Sequence, residues 1–240
     1  MTRMHYAACW PALALVAAML AAGAAPAAGP APAAELPVSR EPGHQVRFDN
    51  GQVRVYELTL AAGQWGEFHE HAADNFFVFM STTGQRFEYR DGRHGTRQVH
   101  AGEVAFASTA GGPYTHRVGG DGPAPFHVVD IEILVDGRLG TAPAAESRAD
   151  PAFSPVLENS RGRAYRLLLP PGATTGVFTR PAHTAIFAVS GGRISERPEG
   201  RAPRLWDSRP GDFRWTDAAE RLAIENDSPA QVEFVEIELF

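Results

Sequence analysis

The chain has 240 residues, 44% apolar and 21% charged, an ordinary make-up for a globular protein with a buried core. Its net charge is −6 and its basic residues are all arginine without a basic cluster, which argues against a nucleic-acid partner. The single cysteine, Cys9, precedes the first apolar run, so a chain that has shed this segment has no disulfide, thiolate metal site or cysteine nucleophile.

The first predicted element is that run. Arg3 supplies positive charge, Ala12 to Ala22 is uninterruptedly apolar, and small-residue sites follow at Ala22-Gly23-Ala24 and Ala25-Pro26-Ala27. The order is that of a secretory signal peptide over residues 1–28, and the run is too short for a membrane span of about 20 residues. The expectations are a mature chain beginning between Ala25 and Glu35, a periplasmic or secreted location, and no membrane contact after cleavage. Residues 29–44 read as an Ala/Pro-rich linker.

From Gln45 onward the pattern is short, alternating apolar runs: QVRVYELTL, FFVFM, RFEYR, EVAFAS and PFHVVDIEIL. Turn signals such as Asp91-Gly92 separate them, and no sustained 3.6-residue period occurs, so the prediction is an all-β protein. The pattern also occurs twice. Asn50 and Asn159, Arg54 and Arg163, Tyr56 and Tyr165, Gly63 and Gly172, and Gly102 and Gly211 share one unbroken offset, after which PFHVVDIEI aligns with QVEFVEIEL three residues short. Duplication predicts two tandem domains, 45–136 and 155–240, joined by a linker over 137–154.

Gly63-x5-His69-x-His71-x2-Asp74, with Gly84, and Gly102 leading to Pro113-x2-His116, resemble the two signature motifs of the cupin superfamily. The resemblance covers nearly all the chain beyond the signal and implies a bicupin: two double-stranded β-helix, or jelly-roll, barrels, the first able to hold a divalent metal at its mouth. It departs from the commonest pattern in two places. The family's Glu four residues after the second His is Asn75 here, with Asp74 one place earlier, and its second-motif Asn is Gly120.

On a strand, His69 and His71 point to one face and can converge on one ion, and the resemblance brings His116 in as a third imidazole from another strand. Three imidazoles and a carboxylate suit Zn, Fe, Mn or Ni. The expected ligands are therefore His69, His71, Asp74 and His116, with Glu67 in reserve; Asp74 has the competing role of a turn cap. His127 shares a face with Val129, Ile131 and Ile133, opposite Asp130 and Glu132, and reads as a core histidine or a partner of the site. Trp65, Phe76, Phe77 and Phe79 lie near the expected mouth, and period 2 sends half of them into ordinary core.

The second copy has Phe178, Arg180, His183 and Leu222 at the matching places, so it is expected to bind no ion; Arg180 reads as packing or as an anion pocket. The implied function is an exported, metal-dependent enzyme acting on a small molecule, its oxygenase, isomerase or hydrolytic class unresolved. The alternative is a non-catalytic metal- or ligand-binding protein. A homo-oligomer is left open.

Overall fold

The computed structural model describes residues 35–141 and 148–240; the segment read as a signal peptide lies outside them. Among the described residues, no helix is long and apolar enough to cross a membrane, and a short helical turn covers Val38–Arg40. The chain is all-β, as its periodicity requires.

The first copy contributes β1 (Gln45–Asp49), β2 (Val53–Leu60), β3 (His69–His71), β4 (Asp74–Phe79), β5 (Thr83–Tyr89), β6 (His94–Val99), β7 (Val104–Ala107), β8 (Tyr114–Gly120) and β9 (Phe126–Ile133). The second contributes β10 (Phe153–Glu158), β11 (Gly162–Leu169), β12 (Phe178–Arg180), β13 (Thr184–Ala188), β14 (Gly192–Pro198), β15 (Arg204–Ser208), β16 (Phe213–Thr216), β17 (Glu220–Asn226) and β18 (Val232–Leu239). Each copy folds into a five-stranded and a four-stranded antiparallel sheet: β1-β2-β9-β4-β7 with β3-β8-β5-β6, then β10-β11-β18-β13-β16 with β12-β17-β14-β15. The duplication extends to single residues, since His69 pairs with His116 on β8 as Phe178 pairs with Leu222 on β17.

Three apolar cores result. Leu58, Leu60, Phe79, Val118, Phe126 and Val128 fill the first barrel, and Leu167, Leu169, Ile186, Ile194, Trp206 and Phe234 fill the second. The third joins the barrels: Val53, Val55, Phe76, Val78, Val129 and Ile131 meet Ala164, Ala185, Phe187, Val235 and Ile237. The five-stranded sheets are thus apolar on both faces, which is why FFVFM does not alternate. Burial of each large side chain contributes about 1.5–3 kcal/mol.

The joint corrects one inference from β9. His127, Val129, Ile131 and Ile133 do share a face, but it is the face toward the second barrel, and His127 is satisfied there by Glu57 (Nε2 to Oε1, 2.9 Å). Asp130 and Glu132 are the residues that turn into the first barrel, and both are buried.

The linker reading is also corrected at its far end. Glu70 donates its N–H to the Leu36 carbonyl at 2.7 Å, and the buried Glu41 accepts from the N–H groups of Gly43, His44 and Glu67. The repeat extends this far: Asp150 accepts from Ala152 and Gly176 as Glu41 does from Gly43 and Glu67. In the second linker, Arg148 is buried against Glu236 and Glu238; residues 142–147 lie outside the described chain.

Candidate metal centre

β3 is short because it only has to place two side chains. His69 and His71 lie two residues apart on one face, buried, and β8 brings His116 directly opposite His69. The ligand nitrogens of the three imidazoles lie within 4.8 Å of one another. Among the described residues no other group of three His, Cys, Asp or Glu side chains is so placed.

The local hydrogen bonds aim these rings. His69 donates Nδ1–H to the Glu67 carbonyl at 2.9 Å, which fixes the proton there and leaves the Nε2 lone pair for the centre. That Nε2 is 3.2 Å from Nε2 of His71, the spacing of two nitrogens that share one ion at about 2.1 Å each. Asn75 donates its Nδ2–H to Nδ1 of His71 at 2.9 Å, and Tyr114 stacks on the His71 ring while its hydroxyl donates to Oδ1 of Asn75. The amide that replaces the family's Glu therefore orients a histidine.

Burial disfavours protonation of two of the rings. Burial, reinforced by His44 and His71, pushes His69 down to about 3. Burial and the neighbouring imidazoles hold His116 well below the usual histidine range as well. Three buried imidazoles whose ligand nitrogens converge on one point have the chemistry of a metal site, so the donor set fits a divalent ion.

Asp74 is not part of the cluster. Its Oδ1 accepts the Thr109 N–H at 2.7 Å and the Ser108 hydroxyl at 3.1 Å, and its Oδ2 pairs with Arg161 of the second barrel at 3.2 Å. It caps a turn and ties the barrels together, so the expected fourth ligand is corrected. Glu67 presents its carboxylate to solvent and uses only its backbone at the site. Phe77 and Phe79 face the cavity, Phe76 faces the joint, and Trp65 lies under Arg86 and Arg117.

Two site residues escaped the sequence reading. His44 is buried with its ring 4.5 Å from that of His69, and its Nδ1 is 2.7 Å from Glu41. Hydrogen bonds from His44 and the Glu67 N–H outweigh burial and hold Glu41 at about 2. The signal was present: Glu41-Pro42-Gly43-His44 and Asp150-Pro151-Ala152-Phe153 continue the repeat offset upstream of Gln45. The second missed residue is Asp130, whose carboxylate oxygens have no hydrogen-bond partner among the described residues. Burial pushes it up to about 6 against the opposing pull of His44 and His71.

These groups line a cavity of about 320 Å³ whose remaining walls are mainly apolar and aromatic, among them Leu58, Phe77, Phe87, Tyr89 and Val128, with Gln85 and Arg97 as further polar groups. The second barrel has lost the site position by position. Phe153, Phe178 and Leu222 fill the places of His44, His69 and His116, and Arg180 replaces His71. Arg180 is fully buried between Glu196 and Glu236, both at 2.7 Å, so it is not an anion pocket.

Neither a family model nor a curated protein matches the sequence. Among solved structures, AerE from Microcystis aeruginosa superposes with a TM-score of 0.61 at 12% identity, over 82% of this chain and 91% of its own. A tryptophan-to-tyrosine variant of oxalate decarboxylase from Bacillus subtilis gives 0.56 at 12% identity, over 85% and 76%. The fold is that of a duplicated cupin. Of the two barrels only the first has a cluster of three metal-ligating side chains among the described residues.

Proposed function

We propose that the N-terminal barrel holds one divalent ion on His69, His71 and His116, and that the protein is an exported, metal-dependent enzyme acting on a small, largely apolar molecule. The observation that carries the reading is the meeting of three buried imidazoles in the wall of an apolar cavity large enough for such a molecule. Bacillus subtilis oxalate decarboxylase, a structural neighbour with a TM-score of 0.51 at 12% identity, has Mn(II) centres, which supports a divalent ion here without fixing its identity among Zn, Fe, Mn and Ni.

Such an ion supplies Lewis acidity toward an oxygen of the bound molecule. The chain's own residues supply the rest. Phe77, Phe87 and Val128 grip an apolar body and exclude water, while Gln85 and Arg97 give polar groups that orient it. Glu41 holds the His44 proton on Nδ1, leaving Nε2 as the nitrogen that can take a proton from the cavity side.

Elemental analysis of wild type, His69→Ala, His116→Ala and His183→Ala tests the reading. We expect about one ion per chain in wild type and His183→Ala and a loss of tenfold or more in affinity in the other two, since changes merely next to a ligand cost about 10- to 100-fold. Full occupancy in His69→Ala or His116→Ala would sink the reading. Intact mass of the exported protein should show a start between Ala25 and Glu35.

A further inference from the structure

Both barrels keep the same pair of carboxylates on their last strand. Asp130 and Glu132 on β9 correspond to Glu236 and Glu238 on β18, with Asp130 opposite Tyr56 as Glu236 is opposite Tyr165. All four are buried. In the second barrel two guanidinium groups answer them: Arg180 reaches Glu236 at 2.7 Å, and Arg148 reaches Glu236 at 2.6 Å and Glu238 at 2.9 Å. Arg180 stands where the first barrel has His71.

The first barrel keeps the acids without the cations. Glu132 accepts the Tyr56 hydroxyl at 2.9 Å and lies 3.6 Å from Nδ1 of His71, and Asp130 lines the cavity with both oxygens unpartnered among the described residues. In the second barrel Arg148 and Arg180 thus answer Glu236 and Glu238, with Glu196, the other partner of Arg180, paired in turn with Arg204 and Arg214, whereas no guanidinium pairs with Asp130 or Glu132 in the first among the described residues. A buried carboxylate with no compensating charge is strongly unfavourable, so its persistence in a cavity wall beside three metal-type donors needs a cause. A divalent ion brings the same two charges as the arginine pair.

We propose that Asp130, with Glu132 behind it, is the counter-charge of the ion held by His69, His71 and His116, and that Arg148 and Arg180 are the built-in replacement for that ion in the second barrel. The inference rests on the triad holding an ion. Asp130 acts as a positioning residue: it sets the charge of the site, in the place that the sequence pattern assigned to Asp74.

The test uses the full exported chain freed of metal and titrated with Mn(II) alone, with the free ion followed by its paramagnetic resonance, in wild type, Asp130→Asn, Glu132→Gln and Asp74→Asn. Asp130→Asn should weaken Mn(II) binding by about tenfold or more, Glu132→Gln by less, and Asp74→Asn should bind as wild type. Metal-free Asp130→Asn should melt at or above the wild-type temperature, because an uncompensated buried charge has been removed. Wild-type affinity in Asp130→Asn, or a metal-free Asp130→Asn protein that melts well below wild type, would overturn the inference and leave the triad reading standing. Equal weakening by Asp74→Asn would also overturn it. Failure of wild type to take up Mn(II) would overturn the triad reading and this inference together.

Discussion

Asp130 and Glu236 occupy one position in two copies of one barrel, and their carboxyls are driven in opposite directions. Burial pushes Asp130 up to about 6. Burial acts on Glu236 as well, but Arg148 and Arg180 outweigh it and hold the group at about 2. The backbone pairing is the same, so the difference lies in the company that each carboxylate keeps. A duplicated scaffold can meet one internal charge requirement in two ways. The second barrel carries its cations on its own chain and closes the space with Phe153, Phe178 and Leu222, whereas the first keeps a cavity with His69, His71 and His116 in its wall.

The largest expected effect breaks the comparison on its stable side. Glu236→Gln strands part of two buried guanidinium charges and should cost about 3 kcal/mol in denaturant unfolding, as loss of one partner of a buried pair does. Asp130→Asn in metal-free protein should cost nothing. The pH dependence carries the same sign. Glu236 is held below its ordinary 4.5, so its contribution is fully present above pH 4.5 and is lost as pH falls through about 2. A shift of that size corresponds to about 3 kcal/mol, and wild type and Glu236→Gln should therefore converge in stability as pH approaches 2. Parallel stability curves down to that pH would show that the arginine pair is not what holds Glu236 ionised.

A second contrast lies within β4, where neighbouring phenylalanines serve different surfaces. Phe76 is fully buried in the core between the barrels and packs on Phe106 with ring centroids 4.8 Å apart, while Phe77 lines the cavity. Phe76→Ala should cost about 3 kcal/mol, in the range found for a phenylalanine removed from a packed core. Phe77→Ala should cost distinctly less, because its ring borders space that already exists, and should instead widen the cavity. Equal losses of stability would mean that the cavity wall is part of the packed core.

The all-β fold, the duplication and the His69–His71 pair were legible because each writes a pattern in the sequence, period 2, a constant offset and an HxH spacing, while His116 came in only with the family resemblance. What was not legible depends on which side of a sheet faces what. Alternation places His127 opposite Asp130 but does not say that the apolar side of β9 meets a second barrel, nor therefore that the acids opposite it point into the first. Asp74 fitted the spacing of a ligand, yet its partners Thr109 and Arg161 come from distant segments that no spacing reveals. His44 was hidden by an Ala/Pro-rich composition that ends a few residues earlier than the linker reading assumed, although Pro42 and Pro151 already carried the repeat across it.

The smallest effect sharpens the comparison at the joint. Gly102 and Gly211 are equivalent, both have φ in the left-handed region (+78° and +90°), and each approaches the opposite barrel. A Cβ on Gly102 would run into Oε1 of Glu233, beside Arg166; on Gly211 it would lie 2.8 Å from Oε1 of Glu57 and 3.0 Å from the His127 ring. Glu57 and His127 hold the places in the first copy that Arg166 and Glu233 hold in the second, so one glycine contact is repeated across the joint with its side chains exchanged. Alanine at either position carries the backbone cost of a positive φ, about 1 kcal/mol or somewhat more. Gly102→Ala must also displace the Arg166 to Glu233 ion pair, whereas the Glu57 carboxylate can yield to Gly211→Ala by a smaller movement. Unfolding measurements should therefore rank Gly102→Ala as the more damaging. Equal losses near the backbone cost alone, about 1 kcal/mol, would mean that the two barrels give way at the joint and that only the strain is felt.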